Sequence, residues 1–220
     1  MVSLLLLAVG CDAGHTLLER PVRVAASPDR VTTDDGVAIT LTQASYTLAD
    51  LRFERPADTT VALHWTSLFV STAHAHPGHD FAGGVGGELS GSWAVDLLAG
   101  PTELGSALIY DGPYETARLT LPGAVQLAGT ADGVAFALEL VPDQDVTGIP
   151  FEVTVVPESS GPVIELAVDI GHALSFVDWT TPDADADGVL TTADGVLANT
   201  VMFGVVATPS FSLTIDDMEE

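Results

Sequence analysis

From residue 31 onward, short runs of alternating apolar and polar residues recur, many of them closed by Gly, Pro or Asp. Residues 37–42, 46–53, 61–65, 117–121, 134–140, 151–156, 163–168 and 211–215 all follow this pattern. A period of two turns one side of a strand to a core and the other to water. Asp111, Gly112 and Pro113, and then Asp132 and Gly133, supply turn chemistry between runs. The pattern predicts an all-β fold, mainly an antiparallel β-sandwich. Two stretches depart from it. Residues 171–179 predict one or two helical turns, and residues 192–204 a short helix interrupted by Gly195.

The N-terminus has a different character. Residues 4–7 are Leu, followed by Ala8, Val9, Gly10 and Cys11, the one cysteine of the chain. The run is too short to span a bilayer. Small residues before a cysteine resemble a bacterial lipoprotein signal, with Cys11 as the lipidated mature end. The expected organisation is a signal over 1–10, a tether over 11–30, one β-sandwich domain over 31–215 and an acidic tail over 216–220. Export would place the domain in the cell envelope, periplasmic or on the outer surface, held to a lipid membrane through Cys11.

Charge narrows the list of partners. The chain carries 31 acidic residues against 6 basic ones, all Arg, for a net charge of −25. Such a surface repels nucleic acid and anionic headgroups and attracts cations, so metal ions are the expected partners and nucleic acid is not. No protein partner is indicated by any motif.

The most specific motif lies near the C-terminus. Asp183, Asp185 and Asp187 are followed by Gly188, Val189 and, at the twelfth position, Asp194. This matches an EF-hand-type calcium loop: carboxylates at positions 1, 3 and 5, glycine at 6, a backbone carbonyl at 7 and an acid at 12. Calcium needs six to eight oxygens, and the glycine lets the chain turn back around the ion. Asp in place of Glu at position 12 shortens the last arm. One such loop in a β protein predicts a structural calcium; an Asp-rich surface turn without metal is the plain alternative.

Histidine supplies a second candidate. His74 and His76 are two apart and share a strand face, and Pro77 and Gly78 form a turn that could return His79 toward them. His64 has the same parity as His74 and His76, and His172 stands shortly before the Asp-rich loop. Imidazole suits copper and zinc, so His64, His74, His76, His79 and His172 are candidate ligands for copper (or zinc). A mobile, exposed histidine loop with only adventitious affinity is the alternative.

Residues 48–53 (Leu, Ala, Asp, Leu, Arg, Phe), the histidine segment, residues 93–98 and the Gly112–Tyr114 turn leading to Arg118 and Leu121 together resemble the MbnP-like exported bacterial copper proteins. More distantly they resemble the copper-scavenging MopE and CorA proteins of methanotrophs. The resemblance covers about residues 35–125. It implies a β-sandwich that binds copper through histidines, with a nearby tryptophan oxidised to kynurenine. Trp65, beside His64, would be that tryptophan.

Two non-catalytic functions follow as expectations: a membrane-anchored metal-binding lipoprotein, or a calcium-stabilised structural or adhesion-type β module without a transition-metal site. An enzyme is not expected. The chain has no Gly-x-Ser-x-Gly elbow, no His-Glu-x-x-His, no phosphate loop and no dinucleotide fingerprint.

Overall fold

The computed structural model describes residues 16–56, 84–157 and 162–216. His64, His74, His76, His79, Trp65, Cys11 and the strand expected over 61–65 lie outside these residues. The protein is mostly β, with two short helices. In chain order the strands are β1 (Leu17–Val24), β2 (Arg30–Thr32), β3 (Ala38–Glu54), β4 (Val85–Asp96), β5 (Thr102–Tyr110), β6 (Gly112–Leu121), β7 (Val125–Ala131), β8 (Val134–Leu140), β9 (Gln144–Val155) and β10 (Val163–Val168). Helix α1 (Ile170–Leu174), β11 (Val189–Thr191), α2 (Leu197–Val205) and β12 (Phe211–Asp216) complete it.

The strands belong to one curled, mixed sheet. Its main path runs β11-β8-β7-β3-β4-β5-β1-β10-β12, with β2 and β6 also on β3 and β9 on β6. The pairs β1–β10 and β8–β11 are parallel; the other ladders are antiparallel.

Strand β3 organises the sheet. Its first half pairs β2 on one side and β7 on the other, and its second half pairs β4 and β6. The alternation in sequence shows how one strand does both. Buried residues fall at Ile39 and Leu41, then at Ala44, Tyr46 and Leu48, then at Leu51 and Phe53. Parity flips twice, and each flip is a register shift: one between Leu41 and Gln43 against β7, one between Ala49 and Leu51 against β4. At the second, Asp50 has a φ of +44° and accepts the Gly91 N–H at 3.2 Å. A bulge inserts one residue, bends the strand and returns apolar side chains to the core face. The runs expected as separate strands over 37–42 and 46–53 are therefore one strand, because the break between them is a bulge and not a turn.

The expected tether over 11–30 also needs correction. Residues 17–24 form β1, between β5 and β10, with Val22 and Val24 fully buried. Pro21 is accommodated within this strand, opposite Ser106 of β5.

The core is continuous, from Val22 of β1 to Leu213 of β12. At one end Phe53 and Phe151 stack with ring centroids 5.1 Å apart, and Tyr114 meets Phe53 edge-on at 6.5 Å. The Tyr114 hydroxyl reaches the Gly86 carbonyl at 2.6 Å and that of Tyr110 at 2.9 Å.

The helices lie where the sequence departs from alternation, and both are shorter than the stretches that predicted them. Asp169 caps α1 by accepting the His172 N–H at 2.9 Å. Helix α2 buries Leu197, Val201, Gly204 and Val205, one face at helical spacing. It packs so closely on α1 that a Cβ at Gly204 would stand 1.9 Å from the Ala173 carbonyl oxygen. Among the described residues no helix is long and apolar enough to cross a membrane.

Candidate metal centre

The Asp-rich loop links α1 to β11. Asp183 fixes its turn: one carboxylate oxygen accepts the Ala186 N–H at 2.8 Å and the other the Gly188 N–H at 2.6 Å. Asp185 accepts the Asp187 N–H at 3.3 Å, and Asp187 accepts the Val189 N–H at 2.8 Å. These are Asx-type turns, in which a short side chain bonds backbone a few residues on. They need left-handed backbone at two positions, Ala186 (φ +56°) and Gly188 (φ +88°). Glycine takes this conformation freely, whereas alanine is strained there.

As a result the side chains of Asp183, Asp185 and Asp187 converge, each offering an oxygen within 4.8 Å of the others. The charges respond to the crowding. The Asp183 carboxyl is held below the ordinary range, chiefly by the Gly188 N–H. The Asp185 carboxyl is pushed up, chiefly by its hydrogen bond with Asp183 and then by the charge of Asp187. Such a cluster is short of positive charge, which a hard cation can supply.

Of the other residues expected in the loop, Val189 opens β11, and Leu190 is buried against the sheet. Asp194 is not part of the converging group. It is 3% exposed, and both its oxygens are engaged: one accepts the Ala184 N–H at 2.8 Å, the other the Thr191 N–H at 2.7 Å and the Thr191 hydroxyl at 3.0 Å. These bonds hold its carboxyl below the ordinary range, Ala184 contributing most. Asp194 thus ties the start of the loop to the end of β11, and its own carbonyl accepts the Leu197 N–H at the start of α2.

Of the five histidines expected as ligands, His172 is the one within the described residues. It sits on α1, and its Nδ1 lies 2.6 Å from Asp34 Oδ2. Phe176 meets its ring edge-on, with centroids 5.4 Å apart. Sequence reading did not find Asp34, which is far from His172 along the chain. It precedes β3, and the Asp34 N–H bonds to the Ser175 hydroxyl at 2.7 Å, which fixes it beside α1. The other tryptophans are structural: Trp93 packs against the core, and Trp179 stacks on Phe136 at 5.1 Å.

No family model, no curated protein and no solved structure matches the chain.

Proposed function

We propose that this chain is an exported, lipid-anchored, non-catalytic metal-binding β domain whose Asp183–Asp194 loop takes a structural divalent cation of the calcium class. The observation that carries the reading is the convergence of Asp183, Asp185 and Asp187 on a backbone already turned by its own N–H bonds. Oxygen ligands with no thiol or imidazole favour a hard ion. The ion's role is structural because the loop leads straight into β11 on the sheet edge and then into α2. The curl of the sheet about β3 fits a sandwich-like domain, and the sequence over 4–11 supports anchoring at Cys11.

Binding of copper or zinc through histidines belongs to the same proposal. Its support is the Asp34–His172 contact: a carboxylate on Nδ1 orients the ring, as it does for metal-ligating histidines that bind through Nε2. A second reading, a calcium-stabilised interaction module with no transition metal, draws on the exposed Val196, Phe176 and Phe203, the last two packed ring on ring.

Calorimetric titration with calcium tests the first part. One saturable site is expected in the wild type and none in Asp183→Asn/Asp185→Asn; unaltered binding in that variant would sink the proposal. Metal analysis of the exported protein tests the second. Copper or zinc retained after His74→Ala/His76→Ala would remove those histidines from the site, and absence of both metals in the wild type would favour the interaction module. Loss of fatty-acid labelling in Cys11→Ser tests the anchor.

A further inference from the structure

Arg20 occupies a position where the alternation of β1 calls for an apolar side chain. It shares parity with the buried Val22 and Val24 and is itself only 4% exposed. Its guanidinium is poorly partnered. Nη2 donates to the Val156 carbonyl at 2.8 Å, Nη1 makes a long 3.4 Å contact with the Glu19 carbonyl, and Nε is buried with no acceptor among the described residues. Among the described residues no carboxylate pairs with it. A guanidinium stays charged, and a buried charge without a counter-ion is strongly disfavoured.

The topology leaves space beside it. Strand β5 covers one edge of β1 from Leu17 onward, but on the other edge the ladder to β10 begins at Val22. Strand β9 ends nearby at Val155 and β12 at Asp216. Where these ladders run out lies a cavity of about 260 Å³, lined by Arg20, Thr154 and the apolar Val153, Val156, Pro162 and Ile215.

We infer that this cavity binds a small aliphatic monocarboxylate, its carboxylate on the Arg20 fork and its short tail along Val153, Val156, Pro162 and Ile215. The planar fork matches a carboxylate in two parallel bonds. A net charge of −25 repels a dianion more strongly than a monoanion, which selects carboxylate over phosphate. The volume is below the usual range of about 300–1,000 Å³ for ligand pockets, which limits the tail to a short chain.

The test is calorimetric titration of the full chain with hexanoate, hexanamide and inorganic phosphate. Hexanoate is expected to bind saturably at one site, with hexanamide and phosphate weaker by about tenfold or more. Arg20→Met is expected to abolish hexanoate binding, and to unfold at a higher temperature than the ligand-free wild type because a buried charge is gone. Arg20→Lys keeps the charge without the fork, and is expected to weaken hexanoate about tenfold; it decides the matter should Arg20→Met fail to fold. Equal binding of hexanoate and hexanamide, or no saturable binding because water alone solvates the guanidinium, would overturn the inference. So would wild-type affinity in either variant.

Discussion

Asp194 accepts the Ala184 N–H at 2.8 Å, and this bond closes the acidic loop on itself. The other Asp194 oxygen is held by Thr191. The residue at the last position of the loop thus acts as its clasp, while the three converging carboxylates belong to residues nearer its start.

Asp194→Asn keeps the shape but turns an NH₂ group toward one set of N–H donors. The expected outcome is a lower thermal midpoint and calcium binding weakened about tenfold, the scale of losses when groups that orient metal ligands are changed. Scanning calorimetry with and without calcium measures both. Wild-type calcium affinity in Asp194→Asn would show that the clasp does not shape the site.

The pH dependence has two opposing parts. Asp183 and Asp194 are depressed by backbone N–H bonds. Their contribution is complete above the ordinary carboxylate value of 3.8 and is lost as pH falls through the lower folded value. Asp185 is raised, so its contribution is present at low pH and is lost as pH rises through the raised value. In chelator, rising pH therefore charges Asp185 against its neighbours, while a bound cation cancels that repulsion. The gap between thermal midpoints in calcium and in chelator is expected to widen from about pH 4 to pH 7. A constant gap over that range would contradict the argument.

Two tyrosines should respond differently to loss of a hydroxyl. Tyr114→Phe removes the donor to the Gly86 carbonyl and leaves a buried acceptor bare, at a cost of about 1–3 kcal/mol. Tyr46 is fully buried and its hydroxyl has no partner among the described residues, and burial pushes its ionisation far up. Tyr46→Phe is expected to be neutral or stabilising by about 1 kcal/mol, because an unsatisfied polar group is removed. Urea denaturation of both variants checks the sign of each change.

Gly204→Ala would set a methyl group against the Ala173 carbonyl and force α1 and α2 apart. Overpacking of this kind costs about 3 kcal/mol, a fall in thermal midpoint of about 6 °C or more for a domain of this size. A variant as stable as wild type would mean that the two helices do not depend on this close approach.

Much of the fold was legible because alternation is a local property. Residues 117–121, 134–140 and 163–168 lie in strands as their patterns predicted. The acidic triad was legible because its carboxylates lie on one short loop, whose turns are made by its own side chains. Less legible was β3, where the alternation breaks at Gln43, so that the runs over 37–42 and 46–53 read as two strands, and shifts again at Asp50 inside the second run. Residues 17–24 carried too few alternating apolar positions, with Pro21 among them, to stand out as β1. The Asp34–His172 contact could not be read at all, since it depends on β2 and α1 meeting in space.

The sequence by itself determined that this chain is mostly β, and that Asp183, Asp185 and Asp187 lie on a turning loop. Both follow from interactions among residues close in the chain, whose geometry local backbone preferences fix. The tertiary structure decided what those elements serve. It made Asp194 a clasp, brought Asp34 to His172, and left Arg20 buried beside a cavity where β1, β9 and β12 lose their neighbours. These depend on which strands pair and where their ladders stop, and long-range pairing is set by packing of the whole sheet.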